Sequence, residues 1–332
     1  LEAGCGMLLV TGGAGFIGSN IVAALNEAGR SDVVVCDLLG HEGKWRNLAK
    51  RRLADIVPPG ELAAWLDGRK LEAAIHMGAI SDTTATDADL VIETNFRFSL
   101  RLLDWCTLHA TPFIYASSAA TYGDGAQGFA DDPSLSALKA LRPMNLYGWS
   151  KHLFDLAVIE RAARGEKMPP QWAGLKFFNV FGPNEYHKGA MMSVLARRFD
   201  DIKCGRTVEL FKSHRDGIAD GDQRRDFIYV DDAVRVVMWL LATPSVSGLF
   251  NVGTGKACSF KDLIMATGAA LGAAPNIRYI DMPEAIRNTY QYFTQGEVDR
   301  LRRAGYNGGF TALEDAVALY VKGYLDRPDR YR

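Results

Sequence analysis

Tyr147 and Lys151 stand four residues apart in Met144-Asn145-Leu146-Tyr147-Gly148-Trp149-Ser150-Lys151, a stretch that reads as a helix start. On a helix that spacing puts both side chains on one face. An ammonium beside a phenol favours the phenolate, lowers its pKa from about 10 and makes Tyr147 a usable general base toward a sugar hydroxyl. Alone, Tyr-x-x-x-Lys more often marks an ordinary exposed helix, so its weight depends on what precedes it.

What precedes it is strand, glycine turn and helix: Leu8-Leu9-Val10-Thr11, then Gly12-Gly13-Ala14-Gly15-Phe16-Ile17-Gly18, then an amphipathic run from Ser19 to Ala28. Gly12 permits a tight turn, Gly15 lets backbone approach a pyrophosphate, and Gly18 lets the helix pack on the strand, with a helix N-terminus that attracts phosphate. Val33-Val34-Val35-Cys36-Asp37 reads as a second strand ending in an acid placed to reach an adenosine ribose. Asp37 favours NAD, whereas Lys44 or Arg46, just past that strand, can pair with a 2′-phosphate, so the residues leave NAD and NADP open. Ala73 to Met77 reads as a buried strand with His76 packed at its end. Gly78-Ala79-Ile80-Ser81 reads as a small-residue loop lying against the cofactor, beside Met77. Asp87 to His109 carries helical periodicity and includes Asn95, whose amide can bond backbone or cofactor. Pro112 to Ala116 reads as the next strand and leads to Ser118, at the carboxyl edge where doubly wound sheets bind ligands. Alternating strands and helices imply a parallel α/β sheet.

Composition bounds the rest. The chain has 332 residues, 48% hydrophobic and 23% charged, with a formal net charge of −1, which argues against a nucleic-acid binder. Cys5, Cys36, Cys106, Cys204 and Cys258 are scattered and odd in number, so neither disulfides nor a metal site is expected and a reduced cytoplasm fits best. No apolar run suits a membrane span. Residues 1–6, before Met7, read as an appended remnant.

The glycine turn, Ser118 and Tyr147-x-x-x-Lys151, in that order, resemble the extended short-chain dehydrogenase/reductase superfamily of nucleotide-sugar epimerases and dehydratases. The resemblance implies transient oxidation of a sugar carbon by a bound nicotinamide, with Ser118 and Tyr147 at the reacting sugar and Lys151 also on the nicotinamide ribose. It narrows with Ala116-Ser117-Ser118-Ala119-Ala120-Thr121-Tyr122-Gly123, Phe178-Asn179-Val180-Phe181-Gly182-Pro183, His187-Lys188-Gly189, Arg225-Asp226-Phe227-Ile228-Tyr229-Val230 and Tyr290-Gln291-Tyr292-Phe293-Thr294-Gln295. These are similar to the ADP-glyceromanno-heptose 6-epimerase family from Met7 to about Tyr324.

That resemblance implies NADP, a Rossmann-like doubly wound parallel sheet with a smaller α/β substrate-binding domain, and C6 epimerisation of ADP-D-glycero-β-D-manno-heptose for lipopolysaccharide inner-core synthesis. It also implies a cytoplasmic homo-oligomer, a pentamer. Lys188, by sequence alone a solvated lysine, becomes the family's second base, and it also falls in the cofactor set with Leu38 and Val180. Arg225 meets the ADP diphosphate. Asn179, Ala190, Arg197, Phe211, Lys212, Ser213 and Tyr290 complete the substrate set. Leu38, Pro59, Ala190 and Arg197 depart from the family pattern, so NAD and another nucleotide sugar stay open; a non-catalytic dinucleotide sensor is a further alternative, against which Ser118, Tyr147, Lys151 and Lys188 together count heavily.

Residues 7–178 are expected to form the dinucleotide-binding domain, with segments near 226–255 returning to it, and 179–324 mainly the substrate domain. Helices are expected over Ala190 to Asp201, from an Asp231 cap to Leu241, over Phe260 to Leu271 and near Gly296 and Thr311. Strands are expected at Trp172 to Phe178, Val208 to Phe211, Leu249 to Val252 and Ile277 to Ile280. The polar loop Lys212 to Arg224 is expected to be a mobile lid or surface insertion.

Overall fold

The computed structural model describes residues 6–287 and 290–332, so Leu1 to Cys5 of the expected remnant lie outside the described residues. The first half runs β1 (Met7–Thr11), α1 (Phe16–Glu27), β2 (Val33–Cys36), β3 (Asp55–Val57), α2 (Leu62–Leu66), β4 (Leu71–His76), α3 (Ala88–Ile92), α4 (Phe98–Leu108), β5 (Phe113–Ser118), α5 (Leu135–Ala140), α6 (Leu146–Ala163) and β6 (Trp172–Phe177). The second half runs β7 (Asn179–Phe181), α7 (Val194–Lys203), β8 (Thr207–Phe211), β9 (Arg224–Tyr229), α8 (Val230–Ala242), β10 (Gly248–Val252), β11 (Ala257–Ser259), α9 (Phe260–Leu271), β12 (Asn276–Ile280), α10 (Glu284–Arg287), α11 (Asp299–Arg303) and α12 (Leu313–Tyr320).

Seven parallel strands form the main sheet in the order β10-β6-β5-β4-β1-β2-β3. The order reverses between β1 and β4, and a ligand crevice forms at the carboxyl edge of such a switch point. Period-2 side chains explain the layering. Leu8, Val10, Val33 and Val35 enter the apolar layer on one face, while Leu9, Val34 and Cys36 enter the layer on the other. Each fully buried aliphatic side chain stabilises the fold by about 1.5–3 kcal/mol, and two-sided burial accounts for strands without polar alternation. The second half returns to this sheet through β10, which pairs with β6. The remaining strands form β11-β9-β7 and β12-β8, set over the crevice.

Several elements differ from their expected form. The Asp87 to His109 helix is broken by a π-turn over Glu93–Arg97, which turns Asn95 into the interior. Asp231 lies in the first turn of α8, where a carboxylate favours the helix dipole, but Tyr229 occupies the cap position without a side-chain bond. Helix α7 starts at Val194, because Gly189 adopts φ 53° and holds residues 186–191 in a separate turn. The 212–223 loop is cross-tied: Ser213 N donates to Asp220 Oδ1 at 2.7 Å and Gly221 N to Phe211 O at 3.1 Å. No described helix is long and apolar enough to cross a membrane.

Candidate active site

One cleft of about 1020 Å³ runs from the glycine turn to β8 and β12. Its floor follows from local sequence. Gly12 has φ 65°, and a Cβ there would lie 2.6 Å from Gly78 Cα, so the 78–81 loop approaches only a glycine. A Cβ on Gly18 would overlap the Gly12 carbonyl oxygen, so α1 begins tight against the turn with free N–H groups facing the cleft. Close backbone approach beside an open helix N-terminus suits a pyrophosphate. Gly15, Phe16, Ile17, Met77, Gly78, Ala79, Ile80 and Ser81 line this side of the cleft, and Val180 on β7 also lines it.

At the end of β2, Asp37 Oδ2 accepts from Ala14 N at 2.9 Å, while Oδ1 accepts from Leu38 N at 2.7 Å and Lys44 Nζ at 2.5 Å. Leu38 projects to the rim. Pro59 begins a short turn away from this wall.

Helix α6 presents Tyr147 and Lys151 to the cleft. Asn145 caps it, its Oδ1 accepting from Gly148 N at 2.8 Å. Lys151 is buried and donates to Ala116 O at 2.9 Å. Burial lowers its pKa to about 8, with Asp155 one turn along acting the other way. Tyr147 differs from expectation: burial raises its pKa, the Ser118 hydroxyl opposes this, and the Asp155 charge adds to the rise. Ser118, at the end of β5, accepts from Ala120 N at 3.1 Å and faces the cleft.

The facing wall comes from the second half. Lys188 Nζ lies 5.3 Å from the Phe16 ring centroid, and burial lowers its pKa against the opposing charge of Glu185. Arg225, on β9, is buried between Phe260 and Tyr290, at 5.5 and 5.2 Å, and donates to Arg224 O at 2.9 Å. Among the described residues it has no carboxylate partner, so its remaining donors are available to an anion. Asn179, Ala190, Arg197, Phe211 and Tyr290 also line the cleft.

Three expected contacts fall outside the wall. Asn95 is wholly buried, its amide donating to Ile80 O and Ser150 Oγ while its oxygen accepts from Ile80 N, so it braces the cofactor loop against α6. Lys212 pairs with Asp281, and Ser213 is engaged within its own loop. Conversely, Glu42, Arg198, Glu209, Gln223 and Phe260 line the cleft and carried no sequence signal beyond proximity to a motif, and His187 lines it from within the His187-Lys188-Gly189 motif, where no role was expected of it. Lys176 did carry one, a lysine in the otherwise apolar strand Leu175-Lys176-Phe177. It is buried and bonds Asp155 at 2.8 Å behind the α6 pair.

Fold and site together define the class: a nicotinamide-dinucleotide enzyme of the epimerase and dehydratase kind, with residues 8–253 matching the NAD dependent epimerase/dehydratase family. Within it, the chain belongs to the ADP-L-glycero-D-manno-heptose-6-epimerases, being 48% identical over 334 residues to that enzyme of Nitratidesulfovibrio vulgaris strain DP4, with 98% of this chain and 100% of the relative covered. The crystal structure of the Helicobacter pylori ADP-L-glycero-D-manno-heptose-6-epimerase matches at TM-score 0.78 and 27% identity, covering 96% of each chain. UDP-glucose 4-epimerase of Thermus thermophilus, in complex with NAD, matches at TM-score 0.74 and 25% identity, covering 95% of this chain and 98% of that one.

Proposed function

We propose that this isomerase inverts C6 of ADP-D-glycero-β-D-manno-heptose to give the L-glycero epimer, through a transient 6-keto sugar, for the inner core of lipopolysaccharide. The observation that carries the reading is the convergence of Tyr147, Ser118, Lys151 and Lys188 on the cleft that holds the glycine turn. A bound nicotinamide supplies hydride acceptance and return. The chain's own residues do the rest. Tyr147 exchanges the proton of the C6 hydroxyl, Ser118 donates to the same oxygen, and Lys151 holds the nicotinamide ribose beside them. Inversion needs proton handling for two presentations of the carbonyl, and Lys188, from a different element than Tyr147, serves the second. Arg225 meets the diphosphate, with Arg197 beside it.

The cofactor assigned here is NADP. Lys44 neutralises Asp37, whose two oxygens are already taken by Ala14 N, Leu38 N and Lys44 itself, and this lowers the repulsion a 2′-phosphate would meet. NAD is the second reading, because Glu42 also lines the wall and Lys44 is already paired. We assign the protein to the cytoplasm, in keeping with its free described cysteines, and to a homo-oligomer, a pentamer, by family resemblance; sedimentation checks the assembly.

Mass analysis of nucleotide released on denaturation, joined to turnover of ADP-D-glycero-β-D-manno-heptose, tests the reading. Epimer formation with NADP supports it. Released NAD refutes the cofactor assignment, and turnover of UDP- or GDP-hexoses in place of the heptose refutes the substrate. Tyr147→Phe is expected to lower kcat by about 10²–10⁴-fold while sparing cofactor retention; unchanged turnover sinks the mechanism.

A further inference from the structure

We propose that Glu185 is a positioning residue for the reaction: its carboxylate ties the two ends of the loop that carries Lys188 and so fixes where that lysine enters the cleft. The inference rests on the reading of Lys188 as the second proton-handling group. Glu185 is fully buried, three residues before Lys188. Its Oε2 accepts from Ser193 N at 2.5 Å, and its Oε1 accepts from Ser193 Oγ at 2.7 Å and Gly182 N at 3.4 Å. One carboxylate therefore closes both ends of the 182–193 segment. Ser193 Oγ in turn accepts from Ala196 N at 3.2 Å and caps α7, the helix bearing Arg197. The clamp thus joins the Lys188 loop to a second residue of the cleft.

The loop between the two tie points has an irregular backbone. Gly182 has φ 149°, Gly189 φ 53°, and Asn184, which is not a glycine, φ 73°. Glycine takes positive φ without strain, whereas the left-handed Asn184 persists because its surroundings hold it. Asn184 is held by Ser19 Oγ at 3.1 Å and Asn47 Nδ2 at 3.0 Å, which leaves Glu185 to fix the side of the loop toward Lys188.

Electrostatics adds the second role. A carboxylate out of water is costly unless charge or donors compensate it, and no ion pair among the described residues engages Glu185 directly. The charged and titratable groups around it are Lys188 on its own loop, Arg197 on α7, and the phenols of Tyr186 and Tyr320. Lys188 N donates to Glu185 O at 3.0 Å, and Lys188 adjoins His187 in the same turn. Burial disfavours the ammonium, and the Glu185 charge opposes that effect.

Glu185→Gln keeps the side-chain size and one acceptor but removes the charge. The expected result is a fall in kcat of about 10²-fold, as for a displaced catalytic group, with KM changed by less than about threefold. One limb of the kcat–pH profile moves to lower pH, because the ammonium has lost the anion that favours it. Ser193→Ala, which loosens the clamp and keeps the charge, lowers kcat without moving that limb. A Glu185→Gln enzyme with wild-type kcat and an unmoved profile overturns the proposal. Should Glu185→Gln fail to retain cofactor, Glu185→Asp decides: it keeps the charge but shortens the reach, so kcat falls with the limb in place, and wild-type kcat overturns the clamp. Lys188→Met separates the two claims. Retained turnover there removes the reading of Lys188, whereas loss there with an unaffected Glu185→Gln removes only the inference about Glu185.

Discussion

Replacing Lys176 by methionine should cost this protein a large share of its stability without touching the cleft surface. Lys176 Nζ donates to Asp155 Oδ2 at 2.8 Å and Thr121 Oγ1 at 2.6 Å and lies 4.9 Å from the Tyr122 ring centroid. Asp155 also accepts from Ser117 Oγ at 2.6 Å and Tyr115 Oη at 3.2 Å. The side chains of the pair are 1% and 0% exposed, so removing the lysine strands a carboxylate in the core. Breaking a buried pair in this way costs about 3–5 kcal/mol. For a chain of 332 residues the unfolding entropy is roughly 0.7 kcal/mol per kelvin, so the melting temperature falls by about 4–7 °C. Urea titration of wild type, Lys176→Met, Asp155→Asn and the double variant gives the coupling directly, and the double variant should lose less than the two single losses together. A Lys176→Met loss below about 1 kcal/mol, or strict additivity, refutes the account of a coupled buried pair.

Gly18→Ala puts a methyl into the Gly12 carbonyl oxygen and should abolish cofactor retention while leaving a folded chain, read by released-nucleotide mass and circular dichroism. Lys44→Ala exposes the uncompensated Asp37 carboxylate and should weaken NADP more than NAD in competition binding; an equal loss refutes the 2′-phosphate role. His76 is buried and bonded to Thr11 Oγ1 at 2.6 Å and Ser99 Oγ at 2.8 Å, and burial lowers its pKa to about 3. Its folded pKa lies below the unfolded value, so the stability it supports is complete above about pH 6.5 and is lost as pH falls toward 3, at up to about 1.4 kcal/mol per pH unit. His76→Asn should flatten the acid limb of stability over that window, and an unchanged slope refutes the assignment.

Short-range pattern determined much of this protein. Helix α9 runs from Phe260 to Leu271, as its periodicity implies, and its Ser259 cap with Asp262 is a local device. The glycine turn, Asp37 at the end of β2, and Tyr147 with Lys151 on one helical face follow from spacings of four to nineteen residues, within reach of propensity and period. The heptose-epimerase resemblance likewise rests on contiguous motifs.

Tertiary structure alone decided which groups meet across long separations. Asn95 reads as a helix residue until the π-turn carries it inward to Ile80 and Ser150. Lys176 reads as an anomaly in a strand until α6 brings Asp155 to it. Glu185 reads as a loop carboxylate until Gly182 and Ser193 fold back on it. Lys212 and Ser213 adjoin the cleft residue Phe211 in sequence, yet bonds to Asp281 and Asp220 draw them away from the wall. The protonation states of Tyr147 and Lys151 follow the same rule. Spacing brings their side chains to one face, but burial by the surrounding sheet and loops dominates the energy of each charged form, and burial is a property of the whole fold.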